Sequence, residues 1–234
     1  DRWLLSLSLW HIGGLAILFR TLLARATVVV REKGRSLKCH VQQDSVTHIS
    51  LVAVQLAELL QESTTYPSIK CLLIGGGPIP TSLVQKAHRF QLPVFCTYGM
   101  TELSSQLATT SSSDLSELKS AGKPLDGWNL KIAEDGEICA KGPALFLGYM
   151  NGQSIVSPCD SEGFFHTNDI GVLNNGLLFV LGRKDQMFIS GGENIHPEEI
   201  EKILCQIVET AIVVAIPNKK YGHRPIAFLK GEWR

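Results

Sequence analysis

The sequence predicts a layered α/β domain with a small antiparallel, barrel-like β subdomain, followed by the opening of a small α+β unit. Three observations predict it. Short apolar runs alternate with amphipathic stretches up to about residue 125, strands broken by Gly, Asn and Asp follow Gly122, and a fresh strand, helix and strand pattern starts at Asp185.

In the first section, strands are expected over residues 27–31, 48–51, 70–74 and 93–97, nearly all apolar as in a sheet covered on both faces. Between them VQLAELLQES and PTSLVQKAHRF carry apolar residues three and four apart, with Pro80-Thr81 as a helix start. In the second section, NLKIAEDGEICAKG and GFFHTNDIGVLNNGLLFVLGR contain Asp135-Gly136 and Asn175-Gly176, dipeptides that favour tight hairpin turns. The third section reads as a short strand, a helix from Pro197 (PEEIEKILCQI), a buried strand (TAIVVAIP) and a last strand (RPIAFLKG). TTSSSDLSELKS is expected to be a mobile loop.

With 234 residues, 44% of them hydrophobic, the chain can bury the core of one large domain or two unequal ones. Lys plus Arg equals Asp plus Glu at 22 each, so no global field draws it to nucleic acid or to an anionic membrane. Any anionic ligand must be caught locally. The six cysteines form no C-x-x-C pair and have no His at zinc-ligand spacing, as expected of reduced thiols in a cytoplasmic protein. No apolar run reaches membrane-spanning length, and DRWLLSLSLWHIGG lacks the pattern of a signal peptide. Because that apolar segment starts at Asp1, the sequence is expected to be a piece of a longer chain.

Three places can carry chemistry. LLIGGGPIP sets Gly75, Gly76 and Gly77 between a buried strand and a helix, where bare backbone can approach a flat or anionic ligand; a tight turn without a ligand explains them as well. VFCTYGMTELSSQ repeats the arrangement one strand later. The strand ends in Tyr98-Gly99; Tyr98 can stack on a base, Thr101 can donate to a phosphate oxygen and Glu102 can hold magnesium, unless Thr101 and Glu102 merely cap a helix. In FFHTNDIGVL, Asp169 can accept from two vicinal hydroxyls of a ribose or can close a turn, and Arg183 can serve the same sugar or form a surface ion pair.

TYGMTE, FHTNDIG, GRKDQMFISGGENIHPEEIE and YGHRPIA, in this order and spacing, resemble the adenylate-forming (AMP-binding) superfamily of acyl-CoA synthetases. The resemblance implies units at 1–125 and 126–182 of a large domain, a hinge at 183–186 and a C-terminal lid domain from 187 to 234. It implies that Gly75, Gly76, Gly77 and Gly99 line the adenine and acyl pocket. Tyr98 stacks on adenine, Thr101 meets the α-phosphate, Glu102 the Mg2+ ion, and Asp169 with Arg183 the ribose. It further implies that His11 lies near the acyl carboxylate or the thiol entrance, that Asp185 is the hinge residue, and that Gly191 and Gly192 leave room for the pantetheine arm of CoA. The substrates implied are ATP, CoA and a small carboxylic acid, with o-succinylbenzoate favoured by LLSLSLWHIGG, LLIGGGPIP and GHRPIA and a place in menaquinone biosynthesis with it.

The family's phosphate loop and its C-terminal lysine fall before the first and after the last residue, so this polypeptide is expected to adenylate poorly. Other readings are another acyl or aryl acid within the superfamily, or a non-catalytic nucleotide-binding or interaction protein. A homo-oligomer is compatible with all of them.

Overall fold

The computed structural model describes residues 1–61 and 65–231. Glu62 and Ser63, at the end of the helix expected over VQLAELLQES, and residues 232–234 of the C-terminal unit lie outside the described residues.

Five parallel strands, β1 (Arg2–Leu5), β2 (Thr27–Val30), β3 (His48–Leu51), β4 (Cys71–Ile74) and β5 (Val94–Tyr98), lie in the order β2-β1-β3-β4-β5. Helices α1 (Ile12–Leu23), α2 (Leu37–Gln43), α3 (Ala53–Leu59) and α4 (Thr81–Arg89) connect them. Two short antiparallel strands, β6 (Ala108–Thr109) and β7 (Lys123–Pro124), extend the sheet beyond β5. Leu4, Ile49, Leu72, Ile74 and Val94 of the strands pack with Val41, Leu56, Leu59 and Val84 of the helices into one core.

All four expected strands are present, and α4 starts where Pro80-Thr81 predicts it. The first strand and helix were not expected from DRWLLSLSLWHIGG. β1 inserts between β2 and β3; its residues RWLL do not alternate, and the alternating LSLSL that starts at Leu5 lies almost wholly past its end.

The second section forms β8 (Asn129–Ile132), β9 (Glu137–Lys141), the hairpin β10 (Tyr149–Asn151) and β11 (Ser154–Val156), then β12 (Phe165–Asn174) and β13 (Leu177–Arg183). β13-β12-β9-β8 is an antiparallel sheet whose longest strand, β12, shifts register twice. Gly136 (φ +84°) turns the β8–β9 hairpin, and Asn175 (φ +51°) with Gly176 (φ +77°) turns the β12–β13 hairpin, as their dipeptides predict. The two sheets are stitched together by main-chain hydrogen bonds: Ala121 N–H donates to the Leu178 carbonyl and Leu178 N–H to that of Gly122, each at 2.8 Å. The loop TTSSSDLSELKS is gathered around Glu117, whose carboxylate accepts from the hydroxyls of Ser111 and Ser112.

The third section forms β14 (Phe188–Ser190), β15 (Glu193–Ile195), α5 (Pro197–Leu204), β16 (Thr210–Asn218) and β17 (Gly222–Lys230), with sheet order β15-β14-β17-β16. One expectation fails here. TAIVVAIP is not a buried strand: only Ala211 and Val213 are covered, and Ile212, Val214 and Ile216 are exposed. α5 packs on one face of the hairpin only, so β16 alternates from Thr210 to Val213 and is exposed from Val214 to Pro217.

Candidate functional site

Parallel strands deliver the segments that follow β1, β4 and β5 to one carboxyl edge of the sheet, so His11, Gly75–Gly77 and Tyr98-Gly99 share that edge. The glycines there differ in what requires them. A methyl on Gly75 would lie 2.7 Å from Thr97 Cγ2 and 2.8 Å from the Thr97 carbonyl oxygen, so close packing on β5 explains it. Gly76 holds φ +81°, a left-handed conformation. Gly77 has nothing within 4 Å of a would-be Cβ and no positive φ, so neither packing nor backbone accounts for it. Gly99 is required sterically, since a Cβ would run into the Ser105 carbonyl.

Tyr98 is the point where the two sheets meet chemically. Its hydroxyl donates to Asp169 Oδ2 at 2.6 Å, and Asp169 Oδ1 accepts from Arg183 Nη1 at 3.3 Å. Asp169 and Arg183 are directly opposite on β12 and β13, which sets this pairing in the register of the hairpin. Arg183 also grips Asp185 through Nε at 3.1 Å and Nη2 at 3.0 Å, a bidentate pair.

Burial raises the Asp169 pKa, while the Tyr98 hydroxyl and the Arg183 charge pull against the rise. Burial and the neighbouring Asp169 push the Tyr98 hydroxyl well above its ordinary range, so it is a donor at every physiological pH. Each Asp169 oxygen has accepted one bond, and a carboxylate offers about four lone-pair positions. Two lone-pair positions of the carboxylate are left over, the number that the two hydroxyls of a vicinal diol would fill.

Glu102 lies in a short 3-10 turn, Thr101–Leu103, and its Oε1 accepts from the Tyr149 hydroxyl at 3.0 Å. Among the described residues its other oxygen accepts no hydrogen bond, which leaves it to meet a cation. Among the described residues no three His, Cys, Asp or Glu side chains come together as a metal cage. Glu102 therefore fits magnesium only as a single protein ligand, with phosphate oxygens and water completing the shell. Thr101 is exposed beside it.

The structure does not bring every expected residue into this network. His11 is the exposed residue before α1, and its ring meets no hydrogen-bonding partner among the described residues. Gly191 (φ +62°) and Gly192 (φ +94°) form the two-residue turn between β14 and β15. Hairpin geometry, with positive φ at both positions, therefore accounts for this pair by itself.

Arg20 was missed in sequence. It sits half-buried on α1, donates to Gln106 Oε1 and approaches Ser105 Oγ at 3.4 Å. Gln106 in turn donates to Thr97 Oγ1 at 3.0 Å, the residue on which Gly75 packs. Burial lowers the Arg20 pKa, and no carboxylate pairs with its guanidinium among the described residues. A cation with neutral partners, linked to Thr97 through Gln106, is suited to an anionic ligand group. The helical period of HIGGLAILFR hides this Arg among apolar residues.

All six cysteines are free, and burial pushes Cys71 and Cys96 up to about 11, which leaves them as inert thiols. No described helix is long and apolar enough to cross a membrane.

A family model described as AMP-binding enzyme matches residues 1–150. The 2-succinylbenzoate–CoA ligase of Bacillus subtilis (strain 168) is 40% identical over 245 residues, covering 98% of this chain and 50% of that protein. Among solved structures, o-succinylbenzoate CoA synthetase from Bacillus subtilis in complex with the acyl-adenylate intermediate OSB-AMP superposes with a TM-score of 0.88 at 39% identity, covering 98% of this chain and 51% of that one. The same enzyme in complex with ATP and magnesium ion gives a TM-score of 0.86 at 39% identity, with 98% and 51% covered. The chain spans about half the length of the curated relatives it matches.

Proposed function

The chain belongs to the AMP-binding enzyme family, and we propose that it carries the nucleotide-binding part of an ATP-dependent acid–CoA ligase acting on 2-succinylbenzoate. One observation carries the proposal: the Tyr98–Asp169–Arg183 constellation, drawn from two sheets, at the carboxyl end of β5. The names of the relatives support the choice of acid.

In this reading the ring of Tyr98 stacks on adenine while its hydroxyl holds Asp169, which accepts from the ribose hydroxyls together with Arg183. Gly75–Gly77 and Gly99 give the nucleotide and acyl group access to bare backbone. Thr101 donates to the α-phosphate, and Glu102 holds magnesium, which supplies charge neutralisation at the phosphate oxygens. His11 lies on the acid side of the site. The substrate carboxylate attacks the α-phosphorus of ATP, the bond to pyrophosphate breaks, and an acyl-adenylate results. The CoA thiol then gives up its proton, attacks the activated carbonyl and displaces AMP.

2-Succinylbenzoate carries two carboxylates, only one of which is activated. Arg20 matches the one that remains charged, which favours this acid over a fatty or simple aryl acid. Asp185 is the hinge between the large unit, 1–182, and the lid unit, 187–234, with Gly191-Gly192 facing the pantetheine arm; its site is the cytoplasm. An acid panel in a pyrophosphate-release assay tests the proposal. 2-Succinylbenzoate is expected to stimulate release above benzoate and fatty acids; equal stimulation by all removes the substrate assignment.

A further inference from the structure

Glu198 and Glu199 both lie in the first turn of α5, where the helix dipole favours a carboxylate. Glu199 is exposed and serves that purpose at no desolvation cost. Glu198 instead turns back onto the end of β13. Its Oε1 accepts from the Arg183 main-chain N–H at 3.1 Å, and its Oε2 is buried with no hydrogen-bond partner among the described residues. A methyl on Gly182 would lie 2.6 Å from that Oε2, so position 182 is shaped to admit the carboxylate. His196, at the mouth of the same helix, also buries an unpartnered Nδ1.

The next residue is gripped from the other side. Lys184 N–H donates to the Asn168 carbonyl at 2.8 Å, and its ammonium reaches Asp135 at 2.6 Å and Glu137 at 2.8 Å, all from the β12 and β9 side. Consecutive residues are thus held by different units, with Asp185 immediately after them.

We propose that Glu198 is a positioning residue that latches the C-terminal unit to strand β13 through the Arg183 amide, and that this bond is the one that opens when the unit turns. A turn at Asp185 leaves the Lys184 clamp intact, because all of its partners precede the hinge. It must break the Glu198 bond, whose acceptor lies beyond the hinge. The orphaned oxygen makes the latch easy to release, since opening returns a buried polar atom to water. The turn itself rests on the proposed two-step ligase reading; the latch does not.

Amide hydrogen exchange at Arg183, measured without nucleotide or acid, tests the latch, so a failure to bind AMP leaves the result untouched. Glu198→Ala is expected to speed exchange at Arg183 by about tenfold or more, the worth of a hydrogen bond to a charged acceptor. Val172 and Phe179, opposite each other on β12 and β13, should keep their protection, which shows that the variant is folded. Glu198→Gln keeps an acceptor oxygen and should stay within about threefold of the parent protein. Gly182→Ala leaves the carboxylate in place chemically but displaces it sterically, and should speed exchange as Glu198→Ala does, which decides the matter if Glu198→Ala unfolds. Unchanged protection in Glu198→Ala and Gly182→Ala, or equal loss in the Ala and Gln variants, overturns the proposal.

Discussion

The hydroxyl of Tyr98, at the end of β5, meets the carboxylate of Asp169, in the middle of β12, at 2.6 Å across 71 residues of sequence. That bond ties the parallel sheet to the antiparallel one at the place where Arg183 also arrives. Asp169→Ala strands the buried Tyr98 hydroxyl and releases one arm of Arg183. It should cost about 1–3 kcal/mol of stability in urea unfolding and weaken AMP binding more than it weakens the fold. Tyr98→Phe should cost less stability and keep most AMP affinity, because the ring remains.

The glycines after β4 should separate by role. Gly75→Ala forces a methyl against Thr97 and should destabilise by about 1–3 kcal/mol through overpacking. Gly76→Ala must hold φ +81° and should cost about 1 kcal/mol. Gly77→Ala meets no atom and no conformational penalty, so thermal melting should leave it unchanged. An effect of Gly77→Ala on nucleotide or acid affinity would then report ligand contact alone.

Arg20→Gln should raise the KM for 2-succinylbenzoate by about ten- to a hundredfold, the range expected for a lost charge-assisted hydrogen bond. The KM for ATP and the response to benzoate should stay near the parent values. Equal losses for benzoate and 2-succinylbenzoate would remove the specificity role.

The Lys184 clamp predicts an acid-sensitive stability. Burial pushes the Glu137 pKa up, but the Lys184 ammonium, the Asn168 N–H and His166 outweigh it and hold the carboxyl below its usual range. The Lys184 hydrogen bond likewise lowers Asp135. Depressed carboxyl pKa values contribute stability that is present above the unfolded values of about 4 and is lost as pH falls through the folded ones. Lys184→Met should therefore destabilise by about 1–2 kcal/mol at pH 7 and flatten the loss of stability below about pH 4. Urea midpoints of parent and variant between pH 3 and 7 check this; Asp169, whose shift has the opposite sign, cancels in the difference.

Much of this layout is legible in the residues. Asn175-Gly176, Asp135-Gly136 and Pro80-Thr81 fix their turns and helix start through local backbone preference, which sequence carries directly. Tyr98, Asp169 and Arg183 were legible as types suited to a nucleoside, but their mutual bonds depend on strand register and sheet docking, which are long-range. β1 and Arg20 were hidden inside an apolar run, because neither a central parallel strand nor a buried cation disturbs its hydrophobic texture. The exposure of β16 is likewise set by what α5 covers, a tertiary fact that the apolar string TAIVVAIP does not contain.

In the proposed function Tyr98, Asp169 and Arg183 hold the nucleoside of AMP. Calorimetric titration of AMP into the parent protein, Asp169→Ala and the remote control Asp160→Ala tests it most directly. Saturable binding in the parent and in Asp160→Ala, with affinity at least about tenfold weaker in Asp169→Ala, is the predicted result. Equal AMP affinity in all three proteins would contradict it.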